Sequence, residues 1–279
     1  MRRKISELIS FRAFLFLRHI PAVVLLVKNW LPFLLDYLGV SNKPQIYHLR
    51  NGLKIKTPAG SSGTIAVIFI KKDYGKPPAP KSVVIDIGSN IGVYALYASQ
   101  SQGTLVYAYE PGSSNFAVLK ENIEINGLHS RIMPFCFAIS GARGKRTLYL
   151  GTSPMHSFLP DSQAPFHANF SDPSKHLNQK SVAVECISLK DAFDTNAIQR
   201  CDMLKIDCEG GEYDILYNLP HEYFSRIKNI RLEYHNHLNN TKNTGPLLIK
   251  FLQTKGFVIE KIKKGSEYQG DVWLKRVLS

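Results

Sequence analysis

The sequence predicts an α/β protein built on a doubly wound sheet, mostly parallel with one antiparallel strand near the C-terminus. Three observations carry that expectation. After residue 80, fully apolar strands alternate with helical segments, the pattern of a parallel sheet covered on both faces. A glycine turn, Asp86-Ile87-Gly88-Ser89-Asn90-Ile91-Gly92, stands between a strand and a helix. The last two strands, Phe257–Lys261 and Val272–Val277, are joined only by a loop bearing Gly, Ser and Tyr, and can pair antiparallel.

At 279 residues and 44% hydrophobic, the chain has material for a sizeable core, which excludes a disordered or collagen-like protein. Its net charge of +13 is unevenly placed. Residues 1–80 hold 13 Lys and Arg against 3 Asp and Glu, and residues 81–279 hold 22 against 19. A basic, apolar N-terminus suits anionic partners such as phospholipid or nucleic acid, or simply a solvated surface. Four cysteines, none in CxxC spacing, do not make a disulfide framework, so buried thiols in a reducing cytosol are expected.

Taken in order, residues 1–40 read as short helices. Their longest stretch free of Lys, Arg, Asp and Glu within 11–38 is residues 19–27, too short for a spanning helix. Pro21 and Pro32 interrupt the run, and no small-residue cleavage site of a signal peptide follows. Short helices packed on the domain, with peripheral contact to a membrane surface, are the expectation. Asn51-Gly52 between Gln45–Arg50 and Leu53–Thr57 signals a hairpin. Thr64–Ile70 reads as a further strand. The Pro-rich joint 75–80 then divides a basic N-terminal unit, residues 1–80, from an α/β domain, residues 81–279.

Within that domain, Ser82–Ile87 is a strand, Ile91–Ser99 a helix and Leu105–Glu110 a strand. Ser113 or Ser114 is expected to cap a helix that Gly127 stops. Arg131–Ile139, Lys145–Leu150 and Val182–Cys186 are strands, with a short helix from Ser188. The polar, proline-bearing stretch Gly151–Lys180 is expected to be a functional loop or lid, in which His156 could reach an acceptor. Met203–Asp207 and Ile230–His235 are strands, and Pro246–Lys255 a helix ended by Gly256.

Gly88 and Gly92 let the backbone turn tightly beside a helix N-terminus. A dinucleotide would want G-x-G-x-x-G. This chain instead offers an acidic residue, Asp86, two positions before the first glycine. It suits a ligand with an ammonium group, such as S-adenosylmethionine, better than a pyrophosphate. Glu110-Pro111 ends the next strand, where a carboxylate can accept both hydrogens of a ribose diol.

Four segments, VVIDIGSNIGVYALYAS, YAYEPGSSNFAVLKENIEING, DMLKIDCEGGEYDIL and IRLEYHN, resemble the FkbM-type methyltransferases over about residues 45–279. The resemblance implies a class I methyltransferase-like, Rossmann-like domain using S-adenosyl-L-methionine. It implies Asp86, Gly88, Asn90 and Gly92 about the methionine portion, Glu110 at the ribose and Ala138 near adenine, with Ser89 and Pro111 also counted among the cofactor-binding residues. Segment 1–40 lies outside that core.

At the reaction end, strand C-termini of a parallel sheet open on one rim, which should gather Asp207, Glu209, Glu233 and His235. Glu233 and His235, two apart on a strand, face the same side, and His237 can extend the row. This cluster is expected to receive an acceptor hydroxyl and take its proton. His235 is the first choice of base, because an unperturbed pKa of about 6.5 suits the task, and Asp207 the second. The same side chains offer mainly oxygen ligands, so Mg²⁺ or Mn²⁺ is a variant, although no metal ligand is assigned. The expected reaction is O-methylation of a small-molecule or glycan acceptor, with sugars, glycolipids and secondary metabolites implied by the resemblance. An RNA methyltransferase and a non-catalytic cofactor-binding module are the alternatives. Nucleic acid is not expected as a partner, since no basic and aromatic RNA-binding module is recognisable. A dehydrogenase ranks after these. The expected location is cytoplasmic, peripheral to a membrane.

Overall fold

The computed structural model describes residues 19–41, 43–150, 157–158, 180–236, 243–264 and 269–277. The chain enters through two short helices, α1 (Ile20–Leu26) and α2 (Trp30–Tyr37). The expected hairpin follows as β1 (Gln45–His48) and β2 (Lys54–Thr57), in antiparallel register around Asn51-Gly52. No helix among the described residues is long and apolar enough to cross a membrane.

Thr64–Ile70 is not a strand. A helical turn, Gly63–Ile65, runs into a π-helix, Ala66–Lys71. A short run of β-branched apolar residues is ambiguous between a strand and a buried helix. Here burial decides: Ile65, Ala66, Ile68 and Phe69 pack into a core shared with Val84, Tyr94 and Tyr97. Helical geometry lets this segment bury side chains without a strand partner for its backbone.

The central sheet is then assembled. β3 (Val83–Ile87) is followed by α3 (Val93–Ala98), β4 (Leu105–Tyr109), α4 (Ser113–Glu124) and β5 (Ile132–Phe135). Gly112, not a serine, occupies the N-cap of α4, with Ser113 as its first residue. Gly127, at φ +62°, follows its end as expected. The strand expected over 131–139 divides. β5 stays in the central sheet, and β6 (Ala138–Ser140) joins a second sheet with β7 (Gly144–Leu150), β8 (Ser157–Phe158) and β9 (Ser181–Ser188). Pro134, which lacks an N–H, is tolerated because β5 is an edge strand.

Helix α5 (Leu189–Thr195) starts in a capping box between Ser188 and Asp191. β10 (Met203–Ile206) leads into α6 (Glu212–Tyr217) and α7 (His221–Phe224), two helices that periodicity did not announce. β11 (Asn229–His235), α8 (Gly245–Thr254), β12 (Phe257–Lys264) and β13 (Gln269–Arg276) complete the chain. The seven-stranded order is β12-β13-β11-β10-β3-β4-β5. Strands β11, β10, β3, β4 and β5 run parallel, and β13 is reversed between β11 and β12. This is the class I methyltransferase-like doubly wound sheet that the sequence predicts.

Each face of the sheet has its own core. One holds Phe193, Tyr213, Phe224 and Leu248 from α5 to α8. The other is thicker, because α1, α2, the hairpin and the π-helix cover α3, and every residue of α3 is buried. Asparagines of α4 tie the hairpin down. Asn126 and Asn122 accept the N–H groups of Lys54 and Lys56 (2.8 and 2.7 Å) and donate to their carbonyls (2.7 and 3.0 Å). Two side chains thereby do for the edge of β2 what a neighbouring strand would do.

Candidate active site

The strand order reverses between β3 and β10, the place where open α/β sheets bind ligands beyond their strand C-termini. A cavity of about 250 Å³ opens there. Phe137, Ala138, Ile139 and Leu148 line one part, Glu110 and the Gly88–Ile91 turn another, and Lys205, Asp207, Glu209 and Glu233 a third. The π-helix closes a side with Val67 and Ile68. His156, His237 and most of the expected lid lie outside the described residues.

The turn is bound from both neighbouring strands. Gly88 and Ser89 donate their N–H groups to the Tyr109 carbonyl (3.1 and 3.0 Å), and Asp207 donates to the Ile87 carbonyl (3.2 Å). Gly88 has φ +71°, and a Cβ there would lie 1.8 Å from the Asp207 carbonyl oxygen. Asn90 donates its N–H to Glu110 Oε2 (2.9 Å), and Ile91 donates to Asn90 Oδ1 (2.7 Å). Gly92 donates to the Ser89 carbonyl (2.8 Å) and is the N-cap of α3, at φ +85°. Every N–H from Gly88 to Gly92 therefore has a partner within the chain. A pyrophosphate would find no free donor in this turn, which argues against the dinucleotide alternative.

Glu110 is buried yet faces the cavity. Its Oε2 takes the Asn90 N–H and its Oε1 the Gly112 N–H (2.8 Å). Burial pushes its carboxyl up to about 7, and those two N–H bonds work in the other direction. Each oxygen keeps a lone pair, so the pair of them can accept from a diol. Pro111 and Ala138 line the same cavity.

Asp86 differs from expectation. It is fully buried and not among the lining residues; instead its Oδ1 lies 3.3 Å from the Lys205 ammonium. Neither carboxylate oxygen has a donor in hydrogen-bond geometry, and burial raises its pKa against the pull of Lys205. Lys205, whose role the sequence did not announce, donates to the carbonyls of Gly88 (2.8 Å) and Ile87 (3.2 Å) and reaches Asp207 Oδ2 at 3.7 Å. The cation behind the turn is thus the protein's own.

The four residues of the expected rim cluster do come together. His235 Nε2 lies 3.6 Å from Glu209 Oε2 and 3.8 Å from Glu233 Oε1. The reason for choosing His235 as base does not survive. Glu212, fully buried, receives the His235 backbone N–H (2.5 Å), and its Oε1 sits 3.2 Å from Nδ1. Burial opposes the imidazolium, but Glu212, Glu209 and Glu233 outweigh it and raise His235 to about 10. It is then cationic at neutral pH and has no lone pair to accept a proton. It also lies behind the lining residues, whereas Asp207 and Glu233 line the cavity.

Glu233 is pushed up to about 8 by burial and by the neighbouring Asp207 carboxylate. The hydroxyl of Tyr74 lies 2.7 Å from Asp207 Oδ2 and 3.3 Å from Glu233 Oε2. Asp207, Glu233 and His235 each bring one ligand atom within 4.8 Å of the others, a spacing that a divalent ion could occupy. Tyr74 and Glu212 were not anticipated as site residues. Glu212 stands inside the Lys205–Glu212 block, where its spacing from Asp207 was the available signal; Tyr74 carried none.

The comparisons with known proteins fit this geometry. The model of the methyltransferase FkbM domain matches residues 86–259, from Asp86 into the start of β12. Methyltransferase 1 of Beauveria bassiana is 27% identical over 207 residues, covering 69% of this chain and 79% of its own. The 31-O-demethyl-FK506 methyltransferase FkbM of Streptomyces tacrolimicus is 25% identical over 178 residues, with 58% and 68% covered. Hexuronic acid methyltransferase AglP of Haloferax volcanii is 27% identical over 134 residues, with 48% of each chain covered. With the family model matching more than half of its length, and the glycine turn and acidic rim inside the matched span, the chain belongs to the methyltransferase FkbM domain family, whose fold carries S-adenosylmethionine-dependent methyl transfer.

Proposed function

We propose that this chain transfers a methyl group from S-adenosylmethionine to a hydroxyl of a sugar, glycolipid or secondary metabolite. The observation that carries the reading is the Glu110 carboxylate, held at the cavity wall by two backbone N–H groups beside a turn that offers no donor to a phosphate. Glu110 accepts the ribose diol, with Pro111 beside it. Ala138, Phe137 and Ile139 cover the adenine, and the Gly88–Gly92 turn follows the methionine portion. Lys205 meets the carboxylate of that portion, and Asp86 compensates Lys205 from behind. When bound, the cofactor supplies a methyl group on a cationic sulfur that leaves as a neutral thioether. The chain need only align the acceptor oxygen and take its proton. Alignment is worth roughly 7–11 kcal/mol, against a factor of about 10²–10⁴ for a general base. Asp207, at the cavity wall, is the proton acceptor. His235 as imidazolium balances Glu209 and Glu212 and keeps that group of side chains together.

The acceptor class draws support from two of the relatives, whose names specify 31-O-demethyl-FK506 and a hexuronic acid. We infer also that the acceptor is met at an anionic lipid surface. Leu25, Leu31 and Val40 are 75, 52 and 71% exposed, with Trp30 and Leu35 beside them. Residues 1–40 carry six Lys and Arg against Glu7 and the buried Asp36. A cytoplasmic chain peripheral to a membrane accords with both.

Calorimetric titration with S-adenosylmethionine tests the cofactor reading. Wild-type chain should bind in the micromolar range, more tightly as pH rises through about 7, where Glu110 ionises. Glu110→Ala should weaken binding at least tenfold, about 1.4 kcal/mol. Absence of binding, or an unaffected Glu110→Ala, rejects it. Transfer of labelled methyl to glycan and lipid pools then identifies the acceptor.

A further inference from the structure

We propose that the chain has a second, basic site that binds a phosphate or diphosphate group, and that this group belongs to the methyl acceptor. The site is a cavity of about 190 Å³ between the turn that ends the π-helix and strands β12 and β13. The anion site rests on geometry and charge alone. Its assignment to the acceptor rests on the methyl-transfer reading.

Four ammonium groups line this cavity, Lys71 and Lys72 from the turn and Lys261 and Lys263 from β12. The bulge in β12 is what sets the second pair. Ile259 pairs with Leu274, but Lys261, not Glu260, pairs with Trp273, and Lys263 pairs with Asp271. A regular register would put Glu260 opposite Trp273 and turn Lys261 toward the face of the buried Val272. The extra residue instead brings both lysines to the face of Trp273. Glu260 turns to Arg231 (3.3 Å), and Lys261 stands 4.4 Å from the Trp273 ring centroid. The turn is fastened over these strands. Trp273 Nε1 donates to the Asp73 carbonyl (3.0 Å), and Lys263 Nζ pairs with Asp73 Oδ1 (3.0 Å) across 190 residues of sequence. Lys72 closes the π-helix at φ +54°, a left-handed position where Gly or Asn would end a helix at less cost.

Two ordinary roles account for part of this charge. A lysine on an edge strand discourages pairing with another chain, and a cation at a helix C-terminus meets the dipole there. Neither role needs the two groups to converge on one cavity. Lys71, Lys72 and Lys261 form no ion pair among the described residues, and the four lysines outnumber Asp73 and Asp271 by two charges. Like charges gathered this way repel until an anion enters between them. Ammonium point charges suit phosphate, whereas a carboxylate is matched best by a guanidinium fork, and Arg231 is already engaged by Glu260. The volume equals about six water molecules at ~30 Å³ each, enough for a phosphate or diphosphate but not for a whole nucleotide. The cavity also adjoins the acceptor end. Asp73 precedes Tyr74 of the cofactor cavity wall, and Asp271 lies directly opposite Glu233 on the same face of the sheet. An acceptor spanning the two cavities places its hydroxyl at Asp207 and its phosphate among the lysines. The phosphate is unchanged by the transfer and holds the acceptor in register.

Trp273 reports on the site directly, because Trp30 is the only other tryptophan and Trp30→Phe assigns both indole N–H resonances. Titrating the full chain with inorganic pyrophosphate at low salt should shift the Trp273 resonance and leave that of Trp30 in place. The dissociation constant should lie below about 1 mM and rise with salt. Lys72→Gln with Lys261→Gln should weaken binding at least tenfold. Lys120→Gln with Lys250→Gln, which removes the same charge from exposed positions of α4 and α8, should change it less than twofold. Pyrophosphate should also inhibit labelled methyl transfer by raising the apparent KM for the acceptor pool while kcat stays unchanged. An unmoved Trp273 resonance at about 10 mM pyrophosphate, or equal weakening in both double variants, overturns the site. Inhibition that lowers kcat instead of raising KM overturns its assignment to the acceptor. If wild type ignores pyrophosphate while Lys72→Gln with Lys261→Gln loses sedimentation with phosphatidylserine vesicles, the cavity belongs to a membrane contact and the proposal falls. Failure of wild type to bind S-adenosylmethionine rejects the methyl-transfer reading, and the Trp273 titration still decides the anion site.

Discussion

Glu212 shows how much one side chain can set without reaching the ligand. It is fully buried, and it serves the His235 N–H, the His235 ring and the Gly210 N–H (2.9 Å) at once. Glu212→Ala takes a buried acceptor from the His235 and Gly210 N–H groups and a carboxylate from the His235 ring, so unfolding free energy should drop by about 3–5 kcal/mol. Glu212→Gln keeps the shape and removes the charge. His235 is raised from 6.5 to about 10, so its contribution to stability is complete below pH 6.5 and is lost as pH rises through about 10. The glutamine variant should bring the His235 midpoint down by more than one unit and shrink the stability difference between pH 6 and pH 10. Ring nitrogen NMR and denaturant melts at the two pH values measure this; an unmoved midpoint would show that Glu212 is not the controlling charge. Lys205, Asp207, Glu209 and Glu212 are all visible as a block in the sequence. Their division into wall, pair and support depends on directions across three strands, which spacing does not encode. Tyr74 was illegible for a simpler reason: its partners lie 133 and 159 residues away.

Elements were legible where pattern and burial agree. β3 and β10 are apolar runs interrupted only by Asp86 and Lys205, which pair with each other, and both sit in the centre of the sheet, buried on two faces. The capping box of α5 and the glycine after α4 marked their helix ends. Thr64–Ile70 misled because its apolar residues satisfy a strand as well as a buried helix, and only the layer made by α1, α2 and α3 decides between them. The junction of β3 and α3 gives the sharpest test at this scale. Gly88 combines a positive φ with a carbonyl where its Cβ would stand, and that carbonyl belongs to Asp207 at the end of β10. Gly88→Ala must therefore push β3 and β10 apart at the cavity, with backbone strain of about 1–3 kcal/mol added. We expect a melting temperature lower by several degrees and at least a tenfold loss of S-adenosylmethionine affinity. Gly92→Ala is the control, since it shares a positive φ (+85°) but its Cβ would meet the side-chain end of Leu119 rather than backbone. It should cost less affinity by calorimetry, and equal losses would remove the special role of the Gly88–Asp207 contact.

For the whole molecule the instructive asymmetry is that one side of the sheet carries an extra layer. The segment that carries α1 and α2 contributes Val23, Val27 and Phe33 to the core while leaving Leu25, Trp30, Leu31, Leu35 and Val40 outside. A helix pair needing cover only from within the domain would not keep so much apolar surface in water. The charge of residues 1–80 sits on the same part of the chain, so in the proposed lipid contact apolar insertion and attraction to anionic headgroups would act together. Full-length chain should therefore sediment with vesicles containing about a third phosphatidylserine. It should release as salt rises toward 0.5 M and ignore vesicles of phosphatidylcholine alone, with the Debye length falling to a few Å over that range. Replacing Leu25 and Leu31 together by Glu should weaken vesicle binding at least tenfold. It should leave S-adenosylmethionine affinity within twofold, because neither residue lines the cavity. If the double variant sediments like wild type, the exposed apolar face is not the contact. If wild type binds neutral and anionic vesicles alike, the basic charge is not what draws it there. If salt-sensitive RNA binding replaces vesicle binding, the N-terminal charge serves nucleic acid and the acceptor must be sought there.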